Sequence, residues 1–579
     1  MSNMKEEMSE KKSKKVLLLG VLGTVLVVAI VVCTVAGVGS RSRRSNQRSH
    51  AIIKNACSST LYQELCFSSI TSEPAHVTAN LISLRDVIEL ALNIASRFVQ
   101  RNYFIVEKLL TREGLSKGTR NALHDCLETI DSTLDDLEMT KNAIKDYPIS
   151  KNNSVYHYAD KLKTLMSSAI TNQLTCLDGF SHDKAEKFFR KLYLLKPQVH
   201  AEHLCSNALA MVKNLTDTDI ANYENNNKFS TNDRKLISED DDSGVRWPHW
   251  LSEEDRRLLQ SGTDNPDVVV AADNSGDFTT VSAAVAAAPE NSKKRYVIRI
   301  KAGVYRESVE VTKKKINLMF LGDGSSKTII TASKSAADDI TTFASGTVIV
   351  VGERFLARGI TMQNAAGPAN GQAVALRVGA DFSAFYLCSI IAYQDTLYVH
   401  SNRQFFVKCF IAGTVDFIFG NSAVVLQDCD IHARPGLLGQ ENMVTAQGRS
   451  DINQNTGIVI QKCRIGATSE LQAVQDRYRS YLGRPWQQYS RTVVMQSTIS
   501  NVIDPAGWHS WNNSNFALDT LFYAEYKNTG DGADTSHRVT WKSFRVFTTD
   551  SQALPFTAAN FIAGSTWLPS TGFPYQLGL

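Results

Sequence analysis

Two short stretches place carboxylates among apolar and aromatic residues. In AYQDTLYVHS (392–401), Gln394 and Asp395 lie in a strand-like, aromatic-rich run; twenty-one residues on, Asp416 opens the apolar DFIFGN. An amide and a carboxylate are poor core material, so chemistry is the better reason for their presence. Two carboxylates held close together cannot both ionise easily, and one pKa must rise. The raised one can donate a proton near neutral pH while its partner stays anionic and nucleophilic. The side-chain amides of Gln394 and Gln372 carry N–H donors suited to an oxyanion developing on a carbonyl. Acid, nucleophile and oxyanion donors together describe acyl transfer by an aspartate. Further on, LGRPW (482–486) offers Arg484 as a fork to hold Asp416 ionised, and Trp486 as a face for stacking on a sugar ring.

Those residues need a scaffold that brings them to one surface. From Pro266 onward the chain reads as short β-rich runs (VVVAA, RYVIRI, INLMFLG, GTVIVVG, GIVIQKC) separated by Gly, Asn and Asp turns. Intervals recur near 21: Cys388 to Cys409 and Asp395 to Asp416 are 21, Gln372 to Gln394 is 22, and Cys409 to Cys429 is 20. Such repeats point to a solenoid, in which residues one coil apart become neighbours at ~4.8 Å. The spacing lets Cys409 pair with either Cys388 or Cys429.

Residues 51–215 follow a different grammar. Leu84, Val87, Ala91, Ile94 and Phe98 form one helical stripe, and Leu123, Leu127, Ile130, Leu134 and Leu137 another. A small bundle stapled by Cys57–Cys66 and Cys126–Cys176 follows, with Cys205 as the odd thiol. His124 and His157 are isolated and read as solvated or core histidines. Residues 216–260 are polar, as a linker should be, and end in Arg256-Arg257-Leu258-Leu259, an expected processing site. At the N-terminus Lys11, Lys12, Lys14 and Lys15 precede an uncharged run, 16–38, long enough to span a bilayer. Residues 1–50 are therefore read as a cytoplasmic tail with an uncleaved signal-anchor, the rest of the chain being lumenal. Sequons at Asn152, Asn214 and Asn512 agree with a secretory route. Charge is nearly balanced, 62 Lys+Arg against 58 Asp+Glu, which argues against a nucleic-acid partner.

The chain also resembles known families. GVYRE (303–307), GQAVALR (371–377), YQDTLY (393–398), DFIFGN (416–421) and LGRPW (482–486) are similar, in order, to the signature blocks of plant pectin methylesterases. Cys57/Cys66, Cys126/Cys176 and LCSNALAM (204–211) resemble the pectin methylesterase inhibitor domain, a four-helix bundle. The resemblance implies two domains: an all-α bundle at 51–215 and an all-β right-handed parallel β-helix at 261–579. It implies hydrolysis of the C6 methyl esters of homogalacturonan to methanol and free acid, with no metal or other cofactor. Matched residue by residue, it makes Asp416 the nucleophile and Asp395 the proton donor and later base. Gln394 and Gln372 become the oxyanion donors, and Arg484 the partner of Asp416. Thr342, Trp486, Tyr398 and Phe419 join Gln372 and Arg484 in contacting saccharide. It also implies disulfides Cys388–Cys409 and Cys429–Cys463. Asn402, after YVHS, departs from the larger apolar residue expected there.

A β-helical polygalacturonase with paired carboxylates is the rival reading, but it has no need of Gln372 and Gln394. A pectate lyase would be expected to gather carboxylates for calcium. A non-catalytic inhibitor or binding protein would leave the β-half's chemical residues without a purpose. The expected partners are methyl-esterified homogalacturonan, inhibitor proteins of the same bundle type and a subtilisin-like processing protease. The expected form is a monomer, membrane-anchored as a precursor and then released to the cell wall. The helical half is expected to cover the groove or to serve as a folding and trafficking pro-region.

Overall fold

The computed structural model describes residues 2–147, 155–180, 184–227 and 266–579. Asn152 and the Arg256–Leu259 segment lie outside the described residues. A long first helix, α1 (Ser2–Ser58), carries the apolar run, and its Lys12–Val32 part is long and apolar enough to cross a membrane. Four further long helices make the bundle: α2 (Leu84–Leu110), α3 (Lys117–Lys145), α4 (Val155–Asp178) and α5 (Leu195–Asn227). Helix α2 starts at a reciprocal cap, with Asp86 N–H donating to Ser83 Oγ at 3.2 Å and Ser83 N–H to Asp86 Oδ2 at 2.8 Å. The two stripes read from the sequence bury Val87, Ala91, Ile94, Leu123, Ile130 and Leu137 in the bundle core. Disulfides join Cys57 to Cys66 and Cys126 on α3 to Cys176 on α4, leaving Cys205 a buried thiol on α5.

The C-terminal half is a parallel β-helix. Its strands fall into three ladders: A with 11 strands (Val268–Val270 to Phe544–Val546), B with eight (Gly303–Arg306 to Thr498–Ile499) and C with seven (Val309–Val311 to Ser480–Gly483). Six successive coils turn out of ladder A at a residue with left-handed backbone: Leu387, Lys408, Asp428, Lys462, Gln496 and Lys527, with φ of 46–55°. This repeated bend keeps the coils in register although their lengths vary. Inside the coil, Phe320, Phe355, Phe385 and Phe406 form a column of ring contacts, edge-on between the first two, tilted between the next and stacked nearly parallel at 4.6 Å between the last.

The expected bridges Cys388–Cys409 and Cys429–Cys463 are not formed; all four residues are buried free thiols. Each directly follows the left-handed bend, so the four stand in one column on successive coils. An inner cysteine then has a neighbour on each side, and backbone N–H groups fill the gap. Cys409 N–H donates to Cys429 Sγ at 3.4 Å, and Cys429 N–H to Cys463 Sγ at 3.3 Å.

Asn402, the departure from the family pattern, has φ +65°, and its amide donates to Gly379 O at 2.8 Å. Asparagine tolerates that left-handed bend better than a larger apolar residue. The phenylalanine column should carry much of the solenoid's stability. Phe406→Ala is expected to lower unfolding free energy by about 3–5 kcal/mol, read from the denaturant midpoint; a loss below about 1 kcal/mol would mean that the column contributes little.

Candidate active site

Gln394 and Asp395 are not within a strand. They form the corner between Ser389–Ile391 of ladder B and β1 (Leu397–Val399) of ladder C, and Asp416 stands at the equivalent corner before β2 (Ile418–Gly420). Both aspartates have left-handed backbone, φ +62° and +52°. Aspartate is among the few residues that accept this conformation readily, so residue type serves the turn as well as the chemistry. The strand-like reading arose because each corner is flanked by strands only three or four residues long. Leu397 pairs with Ile418, and Asp395 N–H donates to Val415 O at 3.0 Å, which sets the two carboxylates one rung apart.

Arg484 follows the strand Ser480–Gly483, and its N–H donates to Thr445 O at 3.0 Å. Its guanidinium forks Asp416, with Nε to Oδ1 at 2.8 Å and Nη2 to Oδ2 at 2.7 Å. Burial pushes the Asp395 carboxyl well above its ordinary range; the charge of Asp416 adds to this and Arg484 opposes it. Burial raises Asp416 too, but the charge and hydrogen bonds of Arg484 work against it. Burial thus favours the proton at both carboxyls, and Arg484 separates them by hydrogen-bonding Asp416 while acting on Asp395 through charge alone.

Gln372, Gln394, Asp395, Asp416 and Arg484 share one cavity of about 320 Å³ with Thr342, Tyr398, Phe419 and Trp486. Tyr398 and Phe419 stack at 4.2 Å on the outer face of ladder C, and Trp486 meets Phe419 edge-on at 6.0 Å. Every residue proposed from sequence for catalysis or saccharide contact thus lines one site. Trp511 was not singled out, yet it lines the same cavity and its ring lies 4.5 Å from the Arg484 guanidinium carbon. Its only sequence signal was an aromatic beside the sequon at Asn512, which is exposed; Asn214 is half-buried on α5.

The roof of the cavity belongs to the other half of the chain. Thr175, Asp178 and Gly179, at the end of α4, face the aspartates. Burial, opposed by Arg190, pushes Asp178 up to about 7. Polar contacts between the two halves fix the bundle there. Thr175 Oγ1 lies 2.9 Å from His400 Nε2, and Asn421 Nδ2 donates to Thr171 Oγ1 at 2.8 Å. Gln454 Nε2 donates to Ser167 O at 3.0 Å, Thr341 donates to Asp125, and Ser206 donates to Asp451. The buried Arg403 grips Asp381 on its own side and Asp160 of α4, each at 2.6 Å.

A pectinesterase family model matches residues 267–565, and a plant invertase/pectin methylesterase inhibitor model matches 51–211. Pectinesterase/pectinesterase inhibitor 3 of Arabidopsis thaliana is 58% identical over 600 aligned positions, covering 100% of both chains. Pectinesterase/pectinesterase inhibitor U1 of Solanum lycopersicum is 60% identical, covering 98% of this chain and 97% of its own. Among solved structures, the pectin methylesterase from carrot is 70% identical with a TM-score of 0.54, covering 55% of this chain and 100% of that one. With this site on this scaffold, the chain belongs to the pectinesterase family and carries a helical half of the inhibitor family.

Proposed function

We propose that this pectinesterase cleaves the C6 methyl esters of homogalacturonan through an acyl-enzyme on Asp416, and that its own helical half holds it closed until the linker is cut. The bidentate Arg484–Asp416 pair, beside a carboxyl kept protonated and two side-chain amides, carries the catalytic reading. Asp416 attacks the ester carbonyl, and the oxyanion draws on the N–H groups of Gln394 and Gln372. The tetrahedral intermediate collapses as Asp395 gives its proton to the departing methoxide, leaving methanol and a mixed anhydride. Asp395, now a carboxylate, takes a proton from water, and the hydroxide equivalent adds to the sugar's acyl carbon. Collapse returns Asp416 as carboxylate and releases the galacturonic acid. Tyr398, Phe419, Trp486 and Trp511 give the sugar rings faces to stack on.

Closure is supported by the α4 terminus over the aspartates. Because the halves share one chain, even a weak contact is well populated. Cleavage by a subtilisin-like protease near Arg256-Arg257-Leu258-Leu259, with α1 as a membrane anchor beforehand, would release an active enzyme to the cell wall. Separate inhibitor proteins of the same bundle type would meet the same groove afterwards.

Asp416→Ala should lower methanol release by at least about 10³-fold. The wild-type rate should rise with pH as Asp416 ionises and fall as Asp395 loses its proton; a rate independent of pH from 4 to 9 would contradict the paired roles. The uncut chain carrying Arg256→Ala and Arg257→Ala should show under about 5% of the cut enzyme's rate if closure is well populated; full activity would remove the closure reading.

Docking itself should depend on pH. Burial pushes Asp125 to about 7, with Glu128 adding to it and Thr341 and Arg377 opposing it. Glu202 is likewise raised to about 7 by burial and by Asp451. Away from the interface these groups titrate near 4. These two carboxyls bind more protons in the docked state between those limits and outweigh His400, which burial against Thr175 pushes down to about 3, so docking weakens as pH rises through that range. After linker cleavage, the halves should co-elute on size exclusion at pH 5 and separate at pH 8; the opposite order would refute this.

A further inference from the structure

Beside the cavity that holds the aspartates, in a neighbouring one that shares Phe343 with it, stands a second arginine with no assigned role. Arg377 sits mid-strand in Leu376–Val378, paired with Tyr398 on the next coil, which in turn pairs with Phe419. Its neighbours Leu376 and Val378 belong to the solenoid core, so Arg377 projects from the outer face, in the same column as the stacked aromatic rings. It lies about 4.8 Å from Tyr398 and about twice that from Phe419, given the spacing of strands. Gln372 is five residues before it on the same coil.

An outward arginine with a side chain only 4% exposed needs a partner. Its guanidinium stacks on Phe343, 3.3 Å from the ring centroid, and Nη2 donates to Glu128 Oε1 of α3 at 2.9 Å. Its Nε, although buried, has no hydrogen-bond partner. The partner carboxylate thus comes from the helical half alone, and it satisfies only one edge of the fork. Once the bundle leaves, the groove floor presents a preoriented guanidinium, backed by an aromatic face, one rung from the ring platform.

We propose that Arg377 is a specificity-determining residue that binds the free carboxylate of a galacturonate unit next to the ester being cleaved, and that Glu128 occupies that carboxylate's place in the closed chain. A methyl ester lacks the charge and the paired acceptor oxygens that a guanidinium fork matches, whereas a free uronate supplies both. The inference rests on the groove being the pectin site. Its substrate class is partly de-esterified homogalacturonan, whose acid groups are also the product of the reaction.

The carrot enzyme, which spans only the β-half, indicates that residues 261–579 can be tested alone. Methanol release would be measured on two oligogalacturonates of equal length, one fully methylated and one with a single free acid unit. The wild type should favour the acid-containing oligomer in kcat/KM. Arg377→Gln should reduce that preference about tenfold through KM, the range for a charged hydrogen bond, whereas Arg377→Lys, which keeps the charge without the fork, should retain part of it. Raised salt should erode the wild-type preference and leave that of Arg377→Gln unmoved. An unchanged ratio in Arg377→Gln, or in Arg377→Lys with insensitivity to salt should the first variant not fold, would overturn the proposal. Absence of methanol from the wild type would instead overturn the catalytic reading on which it rests.

Discussion

Everything at this site depends on the register between successive coils. Leu397 opposite Ile418, and Ile418 opposite Thr445, decide that Asp395, Asp416 and Arg484 approach one another from coils distant in sequence. Side chains alternate along a strand, so a slip of one residue would turn Tyr398 and Phe419 inward and drive Leu397 and Ile418 into solvent. The buried phenylalanine column and the left-handed bend repeated after six successive ladder A strands make such a slip expensive. The geometry of the candidate site is therefore held by packing on the opposite side of the same coils.

Burial does two things at this surface. In the closed chain it removes the aspartates from water, and that desolvation is the largest influence on both their pKa values. It also places carboxylates of the helical half, Asp125, Glu128 and Asp178, over or beside a groove whose proposed ligand is an acidic polymer. The helical half meets the groove with the same chemistry a uronate chain would bring. At Arg377 and Glu128, as at Arg403 and Asp160, a carboxylate of the helical half meets a guanidinium of the β-half directly.

The chemistry was more legible in the sequence than its local setting. Residue types and an interval near 21 were enough to expect Gln394, Asp395, Asp416 and Gln372 together, because one coil of a solenoid converts sequence distance into contact. The corners were harder to see: ladder C strands of three residues offer too little alternation to show where a strand ends. Cysteine spacing suggested pairs, whereas stacking makes a column in which each inner thiol has two neighbours. Trp511 could not be placed because the coil that brings it to Arg484 has its own length, outside the interval. The closing contacts were invisible for a different reason. Thr171, Thr175 and Ser206 are ordinary residues of polar helix faces, and nothing in their type shows that docking gives each a partner across the interface.

In the proposed reaction Asp416 forms a bond to the substrate rather than merely steering water to it. The direct measurement is the mass of the cut enzyme, acid-quenched within the first turnover after mixing with a methylated oligogalacturonate. The account predicts a species heavier by one galacturonyl oligomer less methanol, with the added mass on the peptide containing Asp416. Stoichiometric methanol release with no adduct, or an adduct on another residue, would contradict it.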